Sequence, residues 1–466
     1  MPMTERDMLT QYGEAVFSGN AALFVGAGLS MGAGYPSWNS LLEDVRTKVR
    51  VPEDFSDLPL LAQYFVQTEP GGRSVLNNLI LGRLNEVETK SSVGHKLLEQ
   101  LDIDDIWTTN YDCLIEDSIP QARVITSDGD LLLRNVPQRR RVTKMHGSLS
   151  SGGPARWLTP PVITRSDYER YELTYPRLWA TLKATYLTKS MLFLGFSFTD
   201  PNIEILLKLS RSLQKSEYAE HFTVLRRPDD PAERRLHDLR VVDLENSNIG
   251  VCEVDNFEQL NEFLSRLVRR TKKKKIFVSG GAPDSGDVTE VAKLLGSRLA
   301  EFELGIISLA GKAAMIVSYE FGRERRMTGR YDPFSIELFF RQKSGEAPAL
   351  KERVGTAIYT NYDQADLRRH VIDQSRSMVV IGGADGTMDE IELALGMGVP
   401  VIPLAHTGGA ARAAWSGRTM PELLSLDDDS TVRQDDWKLL NDLDPRVAVS
   451  AAVRLIRQTM YLSGPT

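Results

Sequence analysis

Residues 23–38, LFVGAGLSMGAGYPSW, carry an apolar run into a cluster of small residues and then into a helix-like segment. A run of this kind that stops at Gly-Ala-Gly reads as a strand opening into a tight turn, and in a parallel α/β sheet the carboxyl end of a strand is where ligands bind. Glycines there let backbone amides and a helix N-terminus approach a phosphate. The fingerprint of hydride-transferring domains needs G-x-G-x-x-G, but its third position here is Met31, and glycine comes one place later at Gly32. That fingerprint also expects an acidic residue closing a second strand about 20 positions on, whereas Glu43 and Asp44 sit in a helical pattern. The turn marks Gly26, Ala27, Gly28 and Ser30 as a nucleotide-contacting segment, with a plain tight turn as the alternative, and argues against redox use.

At 466 residues the chain exceeds what one core usually serves, and two domains are expected. Its 42% hydrophobic and 26% charged content is that of a folded protein. A net charge of −7 excludes a main task of wrapping nucleic acid, which needs concentrated positive surface. The local exception, Arg269, Arg270 and the lysines at 272–275, reads as a solvated linker. Cys113 and Cys252 form no CxxC pair, so neither a cysteine-held zinc nor a disulfide framework is expected, and a reducing compartment is. With no leader-like start and no long apolar stretch, the chain is expected in the cytoplasm, away from membranes.

Short apolar runs at 22–25, 106–108, 191–194 and 222–225 alternate with helical spacing, the mark of a parallel sheet covered on both faces. The pattern restarts after the basic run, with strands at 275–278, 305–309, 378–381 and 399–404 and a helix carrying Val291, Leu294, Leu295, Leu299 and Phe302 on one face. The fold class is therefore α/β, two Rossmann-like parallel-sheet domains in tandem, at 1–268 and 276–466.

The strand at 106 ends in TTNYD, which brings Asn110 and Asp112 to the same rim as the first glycine turn, and KMHGS then places His146 beside Gly147. Asn offers donors and an acceptor without charge, suited to ribose hydroxyls or a held water. A histidine near its ordinary pKa accepts a proton at physiological pH. Asp112 either orders the site or caps the helix that follows. GAGLSMGAGYPSW, TTNYD, KMHGS and LFLGFSFTDPNI, in this order, resemble the motifs of the sirtuin family over residues 10–265. The resemblance implies an NAD-binding SIR2-like domain that cleaves the nicotinamide–ribose bond, with Asn110 and His146 catalytic and Gly195 toward the dinucleotide; Ser197 and Asp200 read either as contacts to its adenosine half or as a plain strand-to-turn segment. The paired CxxC zinc module of protein-deacylating sirtuins is missing; the interval instead holds Trp157, Tyr168, Tyr171, Tyr175 and Trp179. Water is thus the expected acceptor, with NAD+ as substrate and no metal.

Farther on, IFVSGGA at 276–282 and MVVIGGADGTMDEIE at 378–392 place Gly280, Gly281, Gly382, Gly383 and Gly386 after two strands. The second stretch resembles the PGGxGTxxE motif of the SLOG superfamily, with Ile381 in place of proline and one extra residue between Gly383 and Gly386. Arg368 and Arg369 are candidates to reach a bound phosphate; Arg323, Arg325 and Arg326 are weaker ones on an expected loop. Thr387 and Glu390 read equally as pocket residues or as a capping box.

A SIR2-like domain followed by a SLOG domain resembles the NAD-hydrolysing effectors of the Thoeris antiphage defence systems. That resemblance implies that a cyclic ADP-ribose isomer made by a TIR-domain partner binds the second domain and releases NAD hydrolysis by the first, in tetramers that assemble into filaments. ADP-ribosyl transfer, deacylation, and a nucleotide-binding scaffold without turnover are the alternatives.

Overall fold

Strand β1 (Ala21–Val25) is apolar throughout and fully buried, which suits the middle of a sheet covered on both faces. A computed structural model describes residues 2–52, 55–87, 92–132, 140–150, 156–198, 200–212, 220–272, 274–281, 286–341, 354–420, 424 and 434–460. The chain divides into two compact units, Met1–Thr271 and Lys272–Thr466.

In the first unit, β1 lies between β2 (Asp105–Thr108) and β7 (Ser190–Leu194), with Leu23 beside Ile106 and Leu192. The remaining strands are β3 (Arg123–Ile125), β4 (Arg141–Lys144), β8 (His221–Arg226) and β9 (Ile249–Val254), giving the parallel order β3-β4-β2-β1-β7-β8-β9. A small antiparallel pair, β5 (Ser148–Leu149) and β6 (Trp157–Thr159), stands apart. Side chains alternate along each strand. Leu23, Val25 and Ile106 pack with Tyr12, Leu98, Leu264 and Val268 of three helices on one face. Phe24, Trp107 and Phe193 pack with Trp179, Leu182, Ile203 and Leu244 on the other. A separate helical cluster, built on Leu42, Leu61, Phe65, Leu76 and Ile80, gathers Tyr111 and Leu149.

The second unit repeats the plan with β10 (Lys275–Gly281), β11 (Gly305–Ser308), β12 (Ile336–Arg341), β13 (Thr356–Thr360), β14 (Ser377–Gly382) and β15 (Val401–Leu404) in the order β13-β12-β11-β10-β14-β15, all parallel. The sequence order reverses between β10 and β14, the crevice where such sheets take ligands.

The basic run is not a solvated linker. Arg269 and Arg270 lie inside the helix Phe257–Thr271, Arg270 donates to Thr10 Oγ at 2.8 Å, Lys272 pairs with Asp373 at 3.1 Å and Lys275 with Glu337 at 2.5 Å. The sequence-based boundary at 268 accordingly falls within a helix. Arg323, Arg325 and Arg326 are on the helix Lys312–Met327 rather than a loop. No helix among the described residues is long and apolar enough to cross a membrane.

Candidate active site

The turns after β1 and β7 interlock through backbone. Gly26 N–H donates to the Leu194 carbonyl and Gly28 N–H to the Gly195 carbonyl, each at 2.8 Å. A methyl on Gly28 would stand 2.7 Å from the Gly195 carbonyl oxygen, and Gly195 has φ of +62°, a conformation glycine adopts without strain. The glycines are required first by this packing. Gly26 is buried against Gly195 and Phe196 and does not line the neighbouring cleft, whereas Ala27, Gly28, Ser30, Gly195 and Ser197 do.

That cleft, about 950 Å³, lies at the carboxyl ends of β1, β2 and β7 and is bounded also by Tyr35, Trp38, Asn110, Tyr111, Asp112, Tyr168 and Asp200. Its volume suits a dinucleotide-sized ligand. Asn110 Nδ2 donates to the Gly26 carbonyl at 3.2 Å and to Ser30 Oγ at 3.0 Å. Those two contacts fix the amide so that Oδ1, buried, is left without a partner. Ser30 Oγ–H in turn donates to Asp112 Oδ2 at 2.9 Å, while Asp112 Oδ1 accepts the Leu114 N–H at 3.1 Å. Asp112 is thus tied to the glycine turn by one oxygen and to the first N–H of the following helix by the other, while the cap position of that helix is Cys113.

His146 follows β4, and Gly147 after it has φ of +97°, with the Pro160 carbonyl where a Cβ would stand. The imidazole is 2% exposed and does not line the cleft directly. It is boxed by the rings of Tyr168 and Tyr171, and its Nε2 makes no hydrogen bond. Asp200 Oδ2 lies 3.6 Å from that nitrogen. Burial pushes the imidazole pKa below its ordinary value, against the opposing pull of Asp200 and then Asp167, which favours the uncharged ring.

Two contributors escaped the sequence reading. Lys144, with no exposed side-chain surface, pairs with Glu116 Oε1 at 2.6 Å and donates to the carbonyls of Tyr111 and Asp112, holding the turn that carries Asn110. Arg73 pairs with Asp167 at 2.6 Å and donates to the Pro161 carbonyl, fixing the segment beside His146. The signal for Lys144 was its place two residues before the histidine, at the end of a strand.

Comparison with known proteins decides among the readings. A SIR2-like domain family matches residues 104–249. The NAD(+) hydrolase ThsA of Enterococcus faecium is 32% identical over 439 residues, covering 88% of this chain and 89% of that protein. This chain belongs to the ThsA family of NAD(+) hydrolases. The ThsA NAD(+) hydrolase of Bacillus cereus (strain MSX-D12) is 28% identical, with 88% of each chain covered. Defense-associated sirtuin 2 of Bacillus subtilis is 24% identical over 287 residues, 56% of this chain and 27% of that protein. As a ThsA-family member the chain is an N-glycosyl hydrolase acting on NAD+, in a family tied to defence. Asn110 and His146 both lie within the SIR2-like match.

The ThsA-family match also spans the second unit, whose pocket of about 340 Å³ sits at the switch point between β10 and β14. Gly280, Gly281, Arg368, Gly386, Thr387 and Glu390 line it. Gly382 and Gly383, with φ of +60° and +96°, are buried in the turn behind and do not. Arg369 points elsewhere: it is exposed, one position round the helix Gln364–Asp373 from Arg368, and no part of the lining. The capping-box reading fails as well. The helix begins at Asp385 with Ala384 as its cap, so Glu390 lies beyond the first turn, accepting from Ser279 Oγ and 3.4 Å from Arg368 Nε. Burial raises the Glu390 pKa, while Ser279 and Arg368 oppose the shift.

Proposed function

We propose that NAD+ is cleaved in the first unit's cleft, which Asn110 lines and behind whose Tyr168 wall His146 lies, and that a cyclic ADP-ribose isomer bound in the second unit's pocket, a SLOG-type sensor, releases that activity. The observation carrying the first part is the pair of buried, partnerless atoms, Asn110 Oδ1 and His146 Nε2. Buried polar atoms of this kind call for an explanation, such as a catalytic role or a bound water.

The bond between nicotinamide and ribose breaks through an oxocarbenium-like state, as other glycosidic bonds do. Nicotinamide departs with the bonding electrons, and water adds to the anomeric carbon. Asn110, locked by Gly26 and Ser30, presents Oδ1 to a ribose hydroxyl or to that water. Neutral His146 takes the proton released as the new C–O bond forms and later gives it to solvent. Nicotinamide, ADP-ribose and one proton result.

A toxic hydrolase needs a resting state, and a ligand can shift an equilibrium only by binding one state better than the other. Arg368, already held among Asp389, Glu390 and the Gly386 carbonyl, is the cation that a nucleotide phosphate would compete for. The reading includes a TIR-domain protein as source of the isomer and a homo-oligomer, a tetramer able to form filaments, as the acting assembly.

Chromatography of NAD+ incubated with the protein, alone and with cyclic ADP-ribose isomers, tests both parts. Free nicotinamide and ADP-ribose, increased by one isomer and abolished in N110A and H146A, is the expected result. Intact NAD+ under every condition would overturn it, and undiminished turnover in either variant would remove that residue from the mechanism.

A further inference from the structure

Asp200 lies in the turn that follows β7, where its motif suggests a contact with the adenosine half of the dinucleotide. Its carboxylate is directed otherwise. Oδ2 is 3.6 Å from His146 Nε2, and the side chain is only 9% exposed although the residue borders the cleft. Oδ1 accepts the Asn202 N–H at 2.9 Å at the start of the helix Pro201–Ser212, which fixes where the carboxylate sits. Around the pair stand Tyr168 and Tyr171, whose hydroxyls burial holds protonated, so neither supplies a competing charge. Asp167 is the other anion that His146 senses, but its charge is answered by Arg73 at 2.6 Å. Lys144, on the strand leading to His146, is turned to Glu116 and the Tyr111 and Asp112 carbonyls.

We infer that Asp200 is a positioning residue for NAD+ hydrolysis: its carboxylate stabilises the imidazolium of His146 at the moment the proton is taken from water or ribose hydroxyl. The inference rests on the assignment of His146 as the base. A neutral imidazole at 3.6 Å leaves a gap that a charge-assisted hydrogen bond closes once the ring is protonated. Most of the attraction is then realised only as the reaction proceeds, which lowers the barrier rather than tightening substrate binding. Removing the negative charge acts in two directions. The imidazole binds its proton less readily, so the acidic limb of the rate profile moves to lower pH. The plateau falls because proton uptake in the transition state is no longer supported.

The test is the pH dependence of kcat and of kcat/KM for nicotinamide release by the full chain with D200N and D200E. Asn keeps an oxygen for the Asn202 N–H and is among the preferred helix-cap residues, so D200N is expected to fold, which thermal unfolding checks. For D200N we expect kcat to drop about tenfold or more and the acidic limb to shift down by about one pH unit, since one unit of pKa is a factor of ten. KM stays nearly unchanged, and D200E recovers part of kcat. A raised KM with kcat and the pH profile unmoved would overturn the inference and return Asp200 to substrate binding. H146A run alongside separates the two failures: if it retains full activity, the assignment of the base falls; if it is dead while D200N is normal, only the role of Asp200 falls.

Discussion

The Asn110 side chain donates to Ser30 Oγ at 3.0 Å, tying together two turns that stand 80 residues apart in sequence. Through the same hydroxyl Ser30 reaches Asp112, so one small side chain sets both the Asn110 amide and the following carboxylate. In S30A, Asn110 keeps only the Gly26 carbonyl and Asp112 Oδ2 loses its donor. Losing a buried hydrogen bond costs ~1–2 kcal/mol, so kcat for nicotinamide release should fall about tenfold with a modest loss of thermal stability. An unchanged kcat would show that Gly26 alone orients the amide.

Lys144 bears on stability before activity. Its ammonium, buried with Glu116 and two carbonyls, leaves those acceptors bare when replaced by methionine. Breaking a buried pair from one side costs about 3–5 kcal/mol, and K144M should lower the urea midpoint accordingly. Adding E116Q removes the stranded charge, so the double variant should be more stable than K144M alone. If the two are equal, Glu116 already meets enough solvent to need no partner.

His221 gives the first unit a pH-dependent stability. Burial lowers its pKa from 6.5 to about 3; it stacks on Tyr186 and its Nδ1 accepts the Met191 N–H at 3.3 Å, which requires the unprotonated nitrogen. The unfolded chain therefore binds more protons than the folded one. Its contribution is present in full above 6.5 and is lost as pH falls toward about 3, at up to ~1.4 kcal/mol per pH unit. Unfolding of H221Q, followed across that range, should be less pH-dependent than that of the wild type. Parallel curves would mean that His221 protonates without unfolding the unit.

In the second unit, if the proposed cyclic ADP-ribose isomer binds there, R368A should weaken its binding at least tenfold by calorimetry, whereas R369A, one position away and facing solvent, should bind it normally. NAD+ hydrolysis without added ligand should be the same in both. Equal binding by R368A and wild type would exclude that arginine from ligand recognition.

What the sequence disclosed follows from how strands announce themselves. β1, β7 and β14 carry continuous apolar runs, and Thr223 alone interrupts that of β8 between Phe222 and Leu225, because both their faces are covered. The strands it hid lie at or next to the sheet margins: β3 (RVI), β4 (RVTK), β9 (IGVCEV), β12 (IELFFR) and β13 (TAIYT). There charged or small residues interrupt the run, and β13 is only half buried. Among candidate site residues, Asn110, Ser30 and Asp112 were legible because their motifs sit at strand ends, and all three border one cleft. The burial of His146 behind Tyr168 was not, since aromatic walls come from segments distant in sequence. Lys144 was hidden for the opposite reason: lysine reads as surface, and only the fold shows carbonyls converging on its ammonium.

The close fit of Gly26 and Gly28 against Gly195 makes two parts of the cleft rim one mechanical piece. A side chain introduced in either turn has nowhere to go unless the other gives way. A change of shape at this part of the rim therefore has to be made in both turns at once.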